Sequence, residues 1–288
     1  MTPKPLRLLI AGCGDLGSRV ANKLLLEPGN CVWGLRRTRD ERCESAPGFE
    51  WLVADLSKPE TLAMLPADIT HVLFCAAPNS RTESAYRDVY FNGLKNVAER
   101  ALNPNLNRIL FVSSSAVYGA HGDEWVDEET PVSPQNFNGR ILLESEQWLS
   151  RFCQEHAIKS LSLRLSGIYG PGRVQLLEKL KLGLVGAPSL PIHWANRIHV
   201  EDAANAILHL MNLPDPMPTY LVTDSTPLPL HTLYESLARL VNGPTPTEAA
   251  APSFVGSKRL SNARLRASGF DFLWPNSVAG YASLIQSG

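Results

Sequence analysis

A run at residues 6–11, apolar except for Arg7, stops abruptly at Gly12-Cys13-Gly14-Asp15-Leu16-Gly17. Such a run, bounded by a glycine turn, predicts a central parallel strand covered on both faces, because half-exposed strands alternate polar and apolar positions. Residues 16–26 then space Val20, Leu24 and the neighbouring leucines along one helical face, and Pro28-Gly29 closes that helix before a second apolar run at 31–35. The pattern predicts a β-α-β unit.

The alternation continues through residues 51–53, a short helix after Lys58-Pro59, a strand at 71–77, a helix at about 82–102 and a strand at 108–113. A helix at about 139–156 and a strand at 160–165 extend it. Strands alternating with helices predict an α/β fold, a doubly wound parallel Rossmann sheet. Beyond residue 166 prolines and glycines break the rhythm, although a helix at 200–211 and a returning strand at 220–222 stand out. The expected organisation is a nucleotide-binding domain at 1–166, rejoined by 195–223, and a smaller C-terminal substrate-side domain at 167–288. The proline-rich stretch 244–252 is the expected mobile connection.

Composition narrows the choice of partner. Of the 288 residues 44% are hydrophobic, enough for a substantial core. Twenty-seven basic residues against 28 acidic give a net charge of -1, so no overall field favours nucleic acid or an anionic membrane. Five scattered cysteines without a CxxC pair argue against a disulfide framework or a metal site and fit a reducing cytoplasm. No run approaches the roughly 18 apolar residues of a membrane span. The stretch after Lys4 and Arg7 is likewise shorter than a secretory signal of about 7 to 15 apolar residues. A small-molecule partner remains.

Placed between a strand and a helix, the glycine string predicts a dinucleotide loop. Gly12 makes the tight turn, Gly14 lets the backbone approach a pyrophosphate, and Gly17 lets helix pack on strand, while N–H groups around Asp15 and Leu16 face the phosphates. Sites for NAD place Asp or Glu about 20 residues further on. Here Arg36, Arg37 and Arg39 stand instead. A guanidinium binds a 2'-phosphate with paired hydrogen bonds where a carboxylate repels it, so NADP is the expected cofactor, with NAD the alternative. Asp55 either accepts a hydrogen bond from the adenine amino group or caps the following helix. Ala76 and Ala77 end the fourth strand with side chains small enough to leave room for the cofactor. Cys13 is either a small buried filler or a thiol whose oxidation switches nucleotide binding.

Further strings add a resemblance. Phe111-Val112-Ser113-Ser114-Ser115-Ala116-Val117-Tyr118-Gly119, Glu128-Glu129-Thr130-Pro131 and Leu163-Arg164-Leu165-Ser166-Gly167-Ile168-Tyr169-Gly170-Pro171-Gly172 follow the glycine loop in order. Asn196-Arg197-Ile198-His199-Val200-Glu201-Asp202-Ala203-Ala204 and Tyr220-Leu221-Val222-Thr223-Asp224 complete the series. Together they resemble the extended short-chain dehydrogenase/reductases, the group of nucleotide-sugar epimerases and dehydratases, over nearly the whole chain. The resemblance implies NAD(P)-dependent hydride chemistry with a YxxxK tyrosine as acid/base and an upstream serine, which carries over as Ser114. It also implies a homodimer paired through the 82–102 and 139–156 helices.

The tyrosine and lysine do not carry over. Aligning Gly139-Arg140 with the usual YGRSK puts Asn138 at the tyrosine and Leu142 at the lysine. Neither exchanges protons near neutral pH. Ser114, Asn138 and Tyr118 are then the catalytic candidates, although Tyr118 is equally a packing residue. Tyr169, Arg173, Arg197 and His199 are candidates on the substrate side, the arginines for a phosphate if the ligand is nucleotide-linked. Asp202 either belongs to the loop that closes that side or caps its helix. Tyr86 and Tyr90, after the fourth strand, either point toward the nicotinamide or fill the core. The expected function is an oxidoreductase or epimerase/dehydratase acting on a sugar-like or nucleotide-linked substrate. The alternative is a non-catalytic sensor of NADP(H).

Overall fold

The computed structural model of the chain describes residues 5–38, 47–252 and 254–286. Arg39, one of the basic residues considered above, lies outside them. The first half runs β1 (Arg7–Ala11), α1 (Asp15–Leu24), β2 (Cys31–Arg36), β3 (Phe49–Val53), β4 (His71–Phe74), α2 (Glu83–Tyr86), α3 (Leu94–Ala101) and β5 (Arg108–Ser114). It continues with β6 (Trp125–Val126), α4 (Phe137–Glu155), β7 (Lys159–Leu165), β8 (Gly167–Tyr169), α5 (Gln175–Lys181), β9 (Trp194–Ala195) and β10 (Arg197–His199). The last elements are α6 (Val200–Asn212), β11 (Thr219–Val222), β12 (Leu228–Pro229), α7 (Leu230–Leu240), β13 (Arg259–Leu260), α8 (Ala263–Ala267) and α9 (Ser277–Gln286).

Seven strands form one parallel sheet in the order β11-β7-β5-β4-β1-β2-β3, the expected doubly wound Rossmann arrangement. Leu8 to Ala11 are wholly buried, as an apolar run covered on both faces should be. From β1 the chain winds outward through β2 and β3, then crosses back to add β4 and β5 on the other side. That reversal between β1 and β4 is the topological switch point, where α/β sheets open a crevice for ligands.

The helix expected at 82–102 is interrupted. Between α2 and α3, Arg87–Gly93 is π-helical. Gly93, at its end, sits where a Cβ would lie 3.1 Å from the Leu56 Cβ and 3.3 Å from the Asp88 carbonyl oxygen. Apolar periodicity is blind to such a one-residue adjustment. The expected 71–77 strand ends at Phe74, although the Cys75 N–H still donates to the Ala11 carbonyl at 2.9 Å.

The chain divides into two compact units. The first comprises Met1–Ser113, Arg140–Leu163 and Ile207–Thr219 and holds the glycine loop. The second comprises Ser114–Gly139, Arg164–Ala206 and Tyr220–Gly288. Its core gathers Leu177, Leu180, Leu230, Leu233, Leu237 and Tyr281. Each of these leucines contributes roughly 1.5–3 kcal/mol by burial. Residues 244–252, expected to be mobile, are tied down instead. The Thr247 carbonyl accepts from the Ala187 N–H at 3.0 Å, and Glu248 accepts from the Ser189 N–H and hydroxyl.

Candidate nucleotide site and catalytic region

Each glycine of the loop has a spatial reason. Gly12 has φ +83°, and a Cβ there would lie 2.3 Å from the Ala76 Cα, so only glycine lets the turn pass under the end of β4. The Gly12 and Cys13 N–H groups both donate to the Leu35 carbonyl, at 3.0 and 3.2 Å, which pins the turn to β2. At Gly17 a Cβ would meet Ile10 at 2.8 Å and the Cys75 sulfur at 3.3 Å, where α1 packs on the sheet. Gly14 differs: only the Gly12 carbonyl oxygen, 3.9 Å away, comes near its Cβ position. The space a pyrophosphate needs is therefore open.

Gly14 caps α1 without a side-chain hydrogen bond, and the Ser18 N–H closes the first helical turn onto the Gly14 carbonyl at 2.8 Å. The N–H groups of Leu16 and Gly17 are those a helix start offers to an anion. Asp15 stands in the same turn and would repel a phosphate. The Arg19 guanidinium, 3.0 Å from its carboxylate, offsets that charge. These residues fit a dinucleotide pyrophosphate.

Arg36 closes β2 half-buried, and Arg37 beside it is exposed. Asp55 lies close enough for Arg37 to help lower its pKa, after the larger effect of the Ser57 hydroxyl. One Asp55 oxygen accepts from the Ser57 N–H at 3.0 Å and hydroxyl at 2.8 Å, an Asx turn leading into the short helix. Ala76 packs under Gly12, while Ala77 is exposed. Cys13 is fully buried, in contact range of the positions a Cβ would take on Gly17 and Gly34.

Ser114 ends β5, and its oxygen accepts from the Ala116 N–H at 3.2 Å, capping the short helical turn Ser115–Tyr118. The hydroxyl proton remains available for donation. Gly139 places the first turn of α4 against this same turn: a Cβ there would lie 2.5 Å from the Ala116 carbonyl oxygen. Asn138, half-buried, is thus held one residue from the docking point, near the serine-bearing turn. Leu142 is 3% exposed. Sequence reasoning passed over Glu146, which accepts a buried 2.5 Å hydrogen bond from Ser113 and anchors α4 to β5.

Tyr118 is wholly buried, its hydroxyl accepts from Arg164 at 2.7 Å, and that guanidinium stacks 4.8 Å over its ring. Tyr169 is buried too, stacked on Tyr281 at 4.2 Å and edge-on to His199 at 5.1 Å. The His199 Nδ1 accepts from the Glu201 N–H at 3.2 Å. Arg197 donates to the Asn196 carbonyl and to Tyr281, and Arg173 is half-buried after the Gly170 turn. Asp202 lies in the first turn of α6, and its two oxygens accept from the Leu273 and Trp274 N–H groups, each at 2.8 Å.

Two buried ionisable groups were given no role from the sequence. Asp224 follows β11, and burial pushes its carboxyl up to about 7 against the opposing pull of Thr226, Ser277 and Arg197. Lys258 is 1% exposed, donates to the Gly119 and Gly256 carbonyls at 2.7 and 3.0 Å, and burial pushes it down to about 8.

Residues 8–222 match the NAD dependent epimerase/dehydratase family. The chain belongs to that family. Among its relatives is protein YeeZ of Escherichia coli K12, 30% identical over 286 residues that span 94% of this chain and 97% of YeeZ. A Methylobacillus flagellatus structure, provisionally assigned as an NAD-dependent epimerase/dehydratase, is 37% identical, covers 98% of both chains and has a TM-score of 0.81. The UDP-glucose 4-epimerase of Thermotoga maritima, solved with UDP-glucose, shares the family fold at a TM-score of 0.84 and 17% identity, over 98% of both chains. As a family member the chain is an NAD(P)-binding protein. Among the described residues no helix is long and apolar enough to cross a membrane.

Proposed function

We propose that the chain binds NADP(H) and acts as an oxidoreductase or epimerase/dehydratase on a small sugar-like or nucleotide-linked substrate in the cytoplasm. The observation that carries this reading is the glycine cradle, open only at Gly14, followed at the end of β2 by Arg36 and Arg37 where a ribose-binding carboxylate would select NAD. Gly12, Gly14 and Gly17, with the N–H groups of Asp15, Leu16 and Gly17, hold the pyrophosphate. Arg36 and Arg37 take the 2'-phosphate, Asp55 reaches the adenine through its remaining oxygen, and Ala76 and Ala77 border the nicotinamide half. The chemistry a bound nicotinamide supplies is reversible hydride exchange.

Ser114 keeps its oxygen in the cap, which leaves its hydroxyl proton to donate to a reacting oxygen. Asn138, a neutral amide, adds a hydrogen bond but moves no proton. Tyr118 is left out because Arg164 holds it in the core. Arg173, Arg197 and His199 are the polar groups offered to the substrate, with Tyr169 as their packing support. Titration calorimetry with NADP+ and NAD+ tests the cofactor: we expect NADP+ to bind at least about tenfold more tightly. Equal affinity overturns the preference.

The register of Asn138 and buried Leu142 favours one second reading, a non-catalytic sensor of NADP(H). A sensor must bind the oxidised and reduced forms with different affinity, because a ligand shifts a conformational equilibrium only by such a difference. Hydride exchange with any of a panel of sugar nucleotides and carbonyl compounds decides for the enzyme.

A further inference from the structure

The stretch Arg87–Gly93 of the first unit is π-helical. Wide turns of this kind give up hydrogen-bond geometry and occur frequently at functional sites. Tyr90 sits in its middle. Its ring packs edge-on against Phe111, centroids 6.3 Å apart, and Phe111 pairs in register with Phe74, the last residue of β4. Tyr90 therefore stands at the carboxyl edge of β4 and β5. It is half-buried, and its hydroxyl meets no hydrogen-bond partner among the described residues. The Tyr86 ring lies 5.3 Å away. Arg87 forks onto Glu144 at 3.1 and 3.0 Å, which ties the wide turn to α4, the helix whose first turns hold Asn138 and Leu142.

The glycine loop fixes how a dinucleotide runs past this edge. Arg36, Arg37 and Asp55 lie at the ends of β2 and β3 and take the adenosine half, so the other half crosses the switch point to the ends of β4 and β5. We propose that Tyr90, aimed by the wide turn and backed by Tyr86, is the phenol that meets the nicotinamide half and donates a hydrogen bond to the reacting oxygen of the substrate. This inference rests on the NADP(H) reading above. It assigns to the helix after β4 the phenol that position 138 lacks. Burial, with a smaller push from Tyr86, raises the Tyr90 pKa above its ordinary value. The hydroxyl then stays protonated at neutral pH and serves as donor, not base, which suits a carbonyl oxygen as its partner.

The test uses the full chain labelled with 13Cζ-tyrosine, whose seven tyrosines give one resonance each, that of Tyr90 assigned by its loss in Tyr90→Phe. NADPH is expected to move the Tyr90 resonance by more than its linewidth, while 2',5'-ADP, which fills only the adenosine half, leaves it in place. In the carbonyl panel, Tyr90→Phe is expected to lose about 100-fold or more in turnover while still binding NADPH, and Tyr86→Phe much less. If both probes bind and neither moves the resonance, or both move it equally, the role of Tyr90 falls and the NADP(H) reading stands. If neither probe binds, both fall.

Discussion

The loop at residues 12–17 and the first turn of α4 both dock a helix closely against neighbouring chain, and both need glycine to do it. At Gly12 and Gly17 a Cβ would strike Ala76 and Ile10, and at Gly139 it would strike the Ala116 carbonyl. They part company in what stands beside the glycines. In the loop, the groups proposed to meet the pyrophosphate are backbone N–H groups, and no side chain has to be right. On α4 the chemistry of the resembling enzymes depends on two side chains, and here those are Asn138 and Leu142. A backbone site survives as long as its geometry does, whereas a side-chain site can be lost from an intact scaffold.

Predictions that break this comparison rank by size. Gly12→Ala is expected to be the most damaging, since it combines a positive φ with overlap on the Ala76 backbone: we expect a loss of about 4 kcal/mol or more in urea unfolding, or failure to fold. An alanine tolerated at Gly12 with NADPH binding intact would refute the backbone argument. Leu142→Lys, which restores the lysine of the resembling motif, is expected to cost about 3 kcal/mol because it buries an unpaired ammonium, and to restore no activity. A gain in turnover would mean that α4 retains a latent active site.

Asp224→Asn acts through pH. The folded carboxyl binds its proton more tightly than the unfolded one, so the stability that the group contributes is present in acid and lost as pH rises from about 4 through about 7. The asparagine variant should flatten the fall in unfolding free energy across that window, by up to about 4 kcal/mol. A wild-type curve that is flat there contradicts the buried placement.

Smaller effects follow at the two sites compared. Arg37→Ala should lower the preference for NADP+ over NAD+ by about 1 to 2 kcal/mol, read by calorimetry, and leave stability unchanged. Tyr118→Phe should cost only about 1 kcal/mol through the lost Arg164 hydrogen bond and should spare turnover. A large loss of turnover would return Tyr118 to the catalytic set.

The same contrast explains what could be read from residues alone. The strand-glycine-helix succession was legible because it depends on local order along the chain. The π-helical turn was not, since one extra residue leaves the apolar spacing of 82–102 almost unchanged. Nothing local to Tyr118 reveals Arg164, 46 positions away, bonded to its hydroxyl. Asp224 and Lys258 were silent for a related reason. Their shifted proton affinities come from burial by segments distant in the chain. Helix α7, whose Leu230, Leu233 and Leu237 follow helical spacing, was available to periodicity and went unassigned among the prolines around it.

Asp202 and Lys258 also bear on the order in which the second unit can form. The buried carboxylate on α6 accepts from the Leu273 and Trp274 N–H groups, and the Gly119 carbonyl receives the Lys258 ammonium from 139 residues further on. During synthesis from the N-terminus these groups wait for partners that leave the ribosome near the end. The contacts described for the glycine loop, by contrast, reach no further along the chain than Ala76. A nascent chain stopped before residue 258 would therefore carry the whole sequence of the first unit while its second unit still lacks the residues that close it.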